Sequence, residues 1–295
     1  MAYACIDIGS NTTRLLVADV DDGRLNELMS QRVFTRIGRS LVKGDKIPSS
    51  KIEETVEVVA TQARHARELG ARRVEVVATA AIRDAKNGRK LATAVTKETG
   101  LEVRILSEEE EARLAFLGAT KMLGAPVPGK VGVIDVGGGS TEIVIGTVRK
   151  GVEWLASFRI GSGFLADSYL RSDPPSPAEL KAVRQHVAGC FEGLETPRPA
   201  SAVAVGGSAT SLRRLVGAEL AHDTLERSVR ILGSTPVAEV ARRFELDPER
   251  VRLLPAGILI LEEISDRLGL PLTIGRGGIR EGVILDALAT GPSTP

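Results

Sequence analysis

The sequence predicts a two-domain α/β protein, and three observations predict it. The chain has 295 residues, more than one hydrophobic core usually organises. Apolar runs of strand length alternate along it with segments of helical periodicity. One stretch is repeated. Cys5–Gly23 lies over Val133–Gly151 without a gap, matching Asp7 with Asp135, Gly9 with Gly137, Thr12 with Ser140, Thr13 with Thr141, Val20 with Val148 and Gly23 with Gly151. Leu15 and Val17 fall on Ile143 and Ile145. Two copies of one strand, Asp-x-Gly turn and strand, half a chain apart, imply two similar domains.

In order, Tyr3 to Ile8 and Arg14 to Val20 read as strands, with Asp21-Asp22-Gly23 as the turn into a third strand from Leu25. Pro48, Ser49 and Ser50 open a helix whose apolar positions are Ile52, Val56, Val59 and Ala63, ending near Gly70. Val74 to Ala78 is a short strand, and Thr79 to Ala85 reads as its end running into a loop. A helix over Lys86–Thr99, a strand over Glu102–Leu106 and a helix from Ser107 follow. Strands at Val131–Val136, Glu142–Val148 and Val152–Phe158 repeat the opening pattern, with a turn at Lys150-Gly151. Ser176 or Pro177 starts a helix. A strand at Ala202–Val205, another at Leu272–Ile274 and a helix to about Leu288 close the chain, with a frayed tail after Thr290. The expected domains are 1–123 and 124–295, with the last helix able to pack back on the first.

Composition excludes several classes. Hydrophobic residues at 43% and charged ones at 26% rule out wholesale disorder. Lys plus Arg total 39 against 38 acidic residues, so overall charge argues for neither nucleic acid nor membrane as a partner. No basic leader and no 18-residue apolar run are present, which makes the cytoplasm the expected location. Cys5 and Cys190 form no C-x-x-C, and Cys5 lies in an apolar run as a small core residue. His65, His186 and His222 match no metal-ligand spacing and read as surface or packing residues.

Chemistry concentrates in the two repeated turns, Asp7-Ile-Gly9-Ser10-Asn11-Thr12 and Asp135-Val-Gly137-Gly138-Gly139-Ser140-Thr141-Glu142. Glycines let backbone N–H groups approach an oligophosphate, and hydroxyls add donors. The carboxylate ending each first strand can hold Mg²⁺ at a phosphoryl group. An ordinary hairpin with a turn-stabilising Asp is the plain alternative for one copy; the duplication favours function. Gly124–Lys130 mimics a P-loop, but two prolines and Val131 in place of a hydroxyl make it a linker. Ser107 and Glu110 form a capping box, and Glu108 to Glu110 are at home in a first helical turn. Glu111 shares a face with Ala115, Gly118 and Met122. Taken alone, it and Arg83 are satisfied by structural readings, Arg83 by pairing with Asp84 or capping a carbonyl. Gly206-Gly207-Ser208 is a strand–helix junction able to hold an anion, though such junctions also serve as punctuation. The Gly275–Gly282 stretch is first a backbone turn.

Together with Thr79–Ala85, Glu109–Leu114, Ala204–Thr210, Pro255–Leu261 and Gly277–Val283, these turns resemble the exopolyphosphatase and guanosine pentaphosphate phosphatase (Ppx/GppA) family. The resemblance spans nearly the whole chain. It implies the actin-like, ribonuclease-H-like superfamily fold: two domains with mixed sheets flanked by helices and a cleft between them. It implies Glu111 as the base positioning water and Arg83 as a phosphate ligand. Asp135 and Glu142 become Mg²⁺-site carboxylates, faced by Asp7, with Mn²⁺ an alternative metal. Gly9, Ser10, Asn11, Thr12 and Gly137 to Thr141 would line the phosphate path, with Gly206, Gly207 and Ser208 beside it. The implied activity is Mg²⁺-dependent release of terminal phosphate from polyphosphate. The alternatives are guanosine pentaphosphate hydrolysis, a stringent-response reaction, or a non-catalytic sensor. A homodimer is left open. Two features depart from the family. Asn11-Thr12 replaces Asn-Ser, and Arg159–Phe164 lacks the usual Gly-x-Val-Arg ending. Longer members carry further helical domains, so short polyphosphates are the expected substrates here.

Overall fold

The computed structural model describes residues 1–21, 24–41, 46–124 and 127–290. The predicted turn at Asp22-Gly23, Ala125 and Pro126 of the predicted linker, and the tail after Thr290 lie outside the described residues. The chain begins with strands β1 (Ala2–Ile8), β2 (Thr13–Asp21) and β3 (Arg24–Val33), then helices α1 (Ile37–Leu41) and α2 (Ser49–Glu68). Strand β4 (Arg73–Ala78), helices α3 (Ala80–Asp84) and α4 (Gly88–Thr99), strand β5 (Val103–Ile105) and helix α5 (Glu108–Lys121) follow. The second half has strands β6 (Val131–Val136), β7 (Thr141–Thr147) and β8 (Gly151–Phe158), then helices α6 (Ser162–Tyr169) and α7 (Pro177–Cys190). It continues with β9 (Ser201–Val205), α8 (Gly206–Val216), β10 (Glu219–Leu220), α9 (His222–Ser234), α10 (Val237–Phe244), α11 (Pro248–Leu268), β11 (Leu272–Ile274) and α12 (Ile279–Ala289).

Two compact units result: Met1–Met122 together with the segment from Gly277 on, and Leu123–Arg276. Each has its own mixed sheet, ordered β3-β2-β1-β4-β5 in the first and β10-β11-β9-β6-β7-β8 in the second. Read from the β8 edge, the second order matches the first over five strands, with β10 added at the far edge. Three strands run antiparallel, and the first of them pairs in parallel with the strand that follows the helical segment. Even the register irregularities coincide. One lies between Val17 and Ala18 and the other between Ile145 and Gly146, which are matched positions of the repeat.

The side-chain alternation of β1 divides the first unit into two cores. Ala4, Ile6 and Ile8 pack with Val59, Ala63 and Leu91 on the α2/α4 side. Cys5 packs with Leu114, Ala115, Val283 and Ile284 on the α5/α12 side. Burial, reinforced by the nearby Asp7 charge, pushes the Cys5 thiol up well above its ordinary value, so Cys5 is inert filling. The second unit has a single core centred on α11, Phe191 and the faces of β6, β7 and β9.

Between Ala78 and Ala85 the sequence predicts a loop, but the chain forms the short helix α3. Thr79 is extended at φ −120°, and Ala80, Ala81 and Ile82 turn inward as buried residues. Five residues give too little length for a periodic signal.

Candidate functional site

In the first unit the turn after β1 closes by Gly9 N–H donating to Thr12 O at 3.0 Å. In the second, Gly137 N–H donates to Ser140 O, also at 3.0 Å. A segment folds back behind each turn. Arg36 N–H donates to Asn11 O at 3.0 Å and Gly38 N–H to Ser10 O at 2.7 Å. Ser162 N–H donates to Gly137 O at 2.9 Å and Phe164 N–H to Gly138 O at 3.0 Å. In a trans peptide plane the C=O and the following N–H point in opposite directions. With these carbonyls engaged from behind, the N–H groups of Asn11 and Thr12, and of Gly138 and Gly139, are turned the other way. Among the described residues no backbone hydrogen bond takes up those four donors. Each turn is therefore a concave set of donors suited to an anion.

The carboxylates are placed by strand register. Asp7 lies opposite Arg14, which lies opposite Arg32. Asp135 lies opposite Glu142, which lies opposite Ser157. Asp7 is 2% exposed, and its Oδ2 accepts from Arg14 Nη2 at 3.0 Å. Its Oδ1 is buried with no hydrogen-bond partner among the described residues. Such an oxygen is costly to leave unpaired. Asp135 and Glu142 are 6% and 3% exposed, and Glu142 Oε1 accepts from Ser157 Oγ at 3.2 Å. Two carboxylates as cross-strand neighbours repel unless a cation lies with them.

No group of three or more His, Cys, Asp or Glu residues able to hold a metal occurs among the described residues. Mg²⁺ takes one or two carboxylates and completes its shell with water and phosphate oxygens. Each unit by itself offers hard oxygen donors of the kind such an ion takes, Asp7 Oδ1 in the first and the Asp135/Glu142 pair in the second.

Glu111 and Arg83 belong to the first unit, and Gly206 to Ser208 belong to the second. Glu111 is buried in the first turn of α5, behind a capping box in which Ser107 and Glu110 bond each other's backbone. Its Oε2 accepts from Arg83 Nη1 at 2.8 Å, although 28 residues separate the two. Arg83 also donates to Leu106 O at 2.9 Å, so the carbonyl-capping expectation holds and Glu111 supplies the ion pair. Burial pulls the Arg83 guanidinium down, but the Glu111 hydrogen bond and the Glu111, Asp84 and Glu108 charges hold it above its ordinary value.

At the start of α8, Gly206 has φ 83°, and a Cβ there would lie 2.2 Å from Asp135 Oδ1. Only glycine both adopts that backbone and leaves room for the carboxylate. Ser208, expected beside the phosphate path, is fully buried and its Oγ faces α11, 2.6 Å from where a Gly257 Cβ would be. Thr141 is likewise withdrawn, its hydroxyl donating to Ile160 O at 2.7 Å. Small hydroxyl residues beside glycine read as ligands, yet here packing claims them.

Arg250 escapes the sequence reading. It is 5% exposed on α11, and its guanidinium lies against Gly207, 2.6 Å from where a Cβ would be. The available signal is its spacing. Arg250, Leu254 and Gly257 share a helix face, an arginine in an otherwise apolar row.

Comparison with known proteins agrees with this architecture. The model of the Ppx/GppA phosphatase family matches residues 16–290. Exopolyphosphatase 1 of Mycobacterium tuberculosis is 30% identical, over 98% of this chain and 88% of its own. The Aquifex aeolicus Ppx/GppA family member superposes with a TM-score of 0.82 at 29% identity, covering 100% of this chain and 99% of that one. An exopolyphosphatase from Cytophaga hutchinsonii shares the fold, with a TM-score of 0.85 at 21% identity over 97% of this chain and 98% of that one. The family-model match, the relatives and the shared actin-like fold agree: the chain belongs to the Ppx/GppA phosphatases, hydrolases of phosphoanhydride bonds.

Proposed function

We propose that the protein releases terminal phosphate from inorganic polyphosphate with the help of Mg²⁺. The observation that carries this is the duplicated turn, in which backing segments occupy the carbonyls and leave outward N–H donors beside buried carboxylates. The names of the mycobacterial relatives support polyphosphate as the substrate class.

In this reading Glu111 holds the attacking water in line with the terminal phosphorus and takes its proton. Arg83, fixed by Glu111 and Leu106 O, presents its remaining N–H groups to the equatorial oxygens of the phosphoryl group. The N–H groups of Asn11, Thr12, Gly138 and Gly139 hold the bridging and leaving phosphates, a preorganised set that need not rotate as charge develops. Bound by Asp7, Asp135 and Glu142, Mg²⁺ would neutralise phosphate charge.

The test is phosphate release from tripolyphosphate, long polyphosphate and guanosine pentaphosphate, each with and without Mg²⁺. Mg²⁺-dependent release from the inorganic chains is expected. Release from guanosine pentaphosphate alone would replace this substrate with the nucleotide. Tight binding without release from any of the three would make the protein a sensor.

A further inference from the structure

The second strand of each sheet begins with a threonine, Thr13 in β2 and Thr141 in β7. The two are matched positions of the repeat, and both are fully buried. Each forms the last rung of the ladder to the third strand, Thr13 opposite Val33 and Thr141 opposite Phe158. Strand pairing stops there, and the threonine hydroxyl makes one further link. Thr13 Oγ1 lies 3.1 Å from Thr35 Oγ1, and Thr141 Oγ1 donates to Ile160 O at 2.7 Å. Thr35 and Ile160 both stand two residues past the end of the third strand.

The link falls where the backing segments begin. Next after Thr35, Arg36 N–H donates to Asn11 O. Two residues after Ile160, Ser162 donates to Gly137 O through its N–H at 2.9 Å and its Oγ at 3.2 Å. Those carbonyls set which way the peptide planes of the turns face. A buried hydroxyl needs some partner, and any nearby oxygen would satisfy it. Here the partner differs in chemistry, a hydroxyl in one unit and a backbone carbonyl in the other, yet the same two places are joined. The position of the link recurs, not its partner.

We propose that Thr13 and Thr141 are positioning residues: each hydroxyl clamps the backing segment to the strand that leaves the turn, and so keeps the N–H groups of the turn aimed at phosphate. This deepens, and rests on, the reading that the turns bind oligophosphate. Neither hydroxyl touches substrate. The effect passes through Asn11 O in the first unit and Gly137 O in the second. Donors fixed in advance need no reorganisation as charge develops, and a small misplacement is costly.

Binding and cleavage of tripolyphosphate by the wild type, with Mg²⁺, test the underlying reading first. Thr141→Val, Thr141→Ser, Thr13→Val, Thr35→Val and the double variant Thr13→Val/Thr35→Val are then assayed well below their melting temperatures. Thr141→Val keeps the shape but leaves Ile160 O without its donor. Its kcat/KM for tripolyphosphate should fall about tenfold, the size of one lost hydrogen bond, and Thr141→Ser should restore most of it. In the first unit the two hydroxyls satisfy each other. Each single valine there strands one hydroxyl and should lower both melting temperature and kcat/KM. The double variant strands none, so its melting temperature should return toward wild type while kcat/KM stays low. Wild-type kcat/KM in Thr141→Val and in the double variant would reduce both threonines to packing and overturn the proposal, leaving the activity standing. A wild type that neither binds nor cleaves tripolyphosphate would remove the reading beneath it.

Discussion

Glu111 and Arg83 form a partly buried ion pair whose halves come from different helices, α5 and α3. Glu111→Gln keeps the shape and a hydrogen-bond acceptor for Arg83 but no longer takes a proton. Turnover should fall by about 10²–10⁴-fold while KM for tripolyphosphate stays within about twofold. Steady-state phosphate release at saturating Mg²⁺ measures both, and wild-type kcat would remove Glu111 from the chemistry. This pairing was hidden from local reading. Arg83 is adjacent in sequence to Asp84, and nothing near it names a partner 28 residues away; family resemblance singled out both residues. The repeat made the two turns legible directly, because Asp, Gly and hydroxyl recur in register. Ser208 and Thr141 were legible as residue types but not as orientations, since which way a hydroxyl turns is decided by distant packing.

Among the elements, most strands and the helices α2, α4, α5, α7 and α12 were readable from periodicity and capping residues, whereas α3 and the two-residue β10 were too short to be. The contact between α5 and α12 has a sharper sequence mark in its glycines. A Cβ on Gly118 would lie 2.0 Å from Gly278 O, and one on Gly282 would lie 1.9 Å from Leu114 O. The clashing atoms are backbone and cannot swing aside. Gly118→Ala or Gly282→Ala should each destabilise the first unit by about 1–3 kcal/mol or more, seen as a lower thermal midpoint.

At α7 the capping box of Ser176 and Glu179 is complete. Backbone hydrogen bonding from Ser176, aided by Arg171 N–H, pulls the Glu179 carboxyl from 4.5 down to about 2. Folding favours the ionised form, so the cap's contribution is full above about pH 4.5 and is lost as pH falls toward 2. Glu179→Gln should lower the urea midpoint at pH 7, and the gap from wild type should close as pH approaches 2.

On the scale of the whole molecule, the first unit is discontinuous in sequence, because α12 returns to it after the second unit is complete. Val283 and Ile284 of that helix share a core with Cys5, Leu16 and Leu114. A chain ending at Arg276 should therefore expose this face, bind a hydrophobic dye and lose the first unit's thermal transition, with the second unit's transition retained. Retention of both transitions would show that α12 is dispensable. Duplication was legible from the sequence at this scale because it repeats chemistry at fixed spacing. The matched sheet orders became visible only with strand pairing, since sequence gives strands without their neighbours.

The matched cross-strand slots hold one more consequence. Beside the first Asp stands Arg14; beside the second stands Glu142. An assembly of two identical halves would have to place the same residue in both slots, and so would neutralise both acids or leave both charged. Fusing the halves into one polypeptide lifts that constraint: one copy of the motif can carry a basic neighbour beside its acid while its twin carries a second acid.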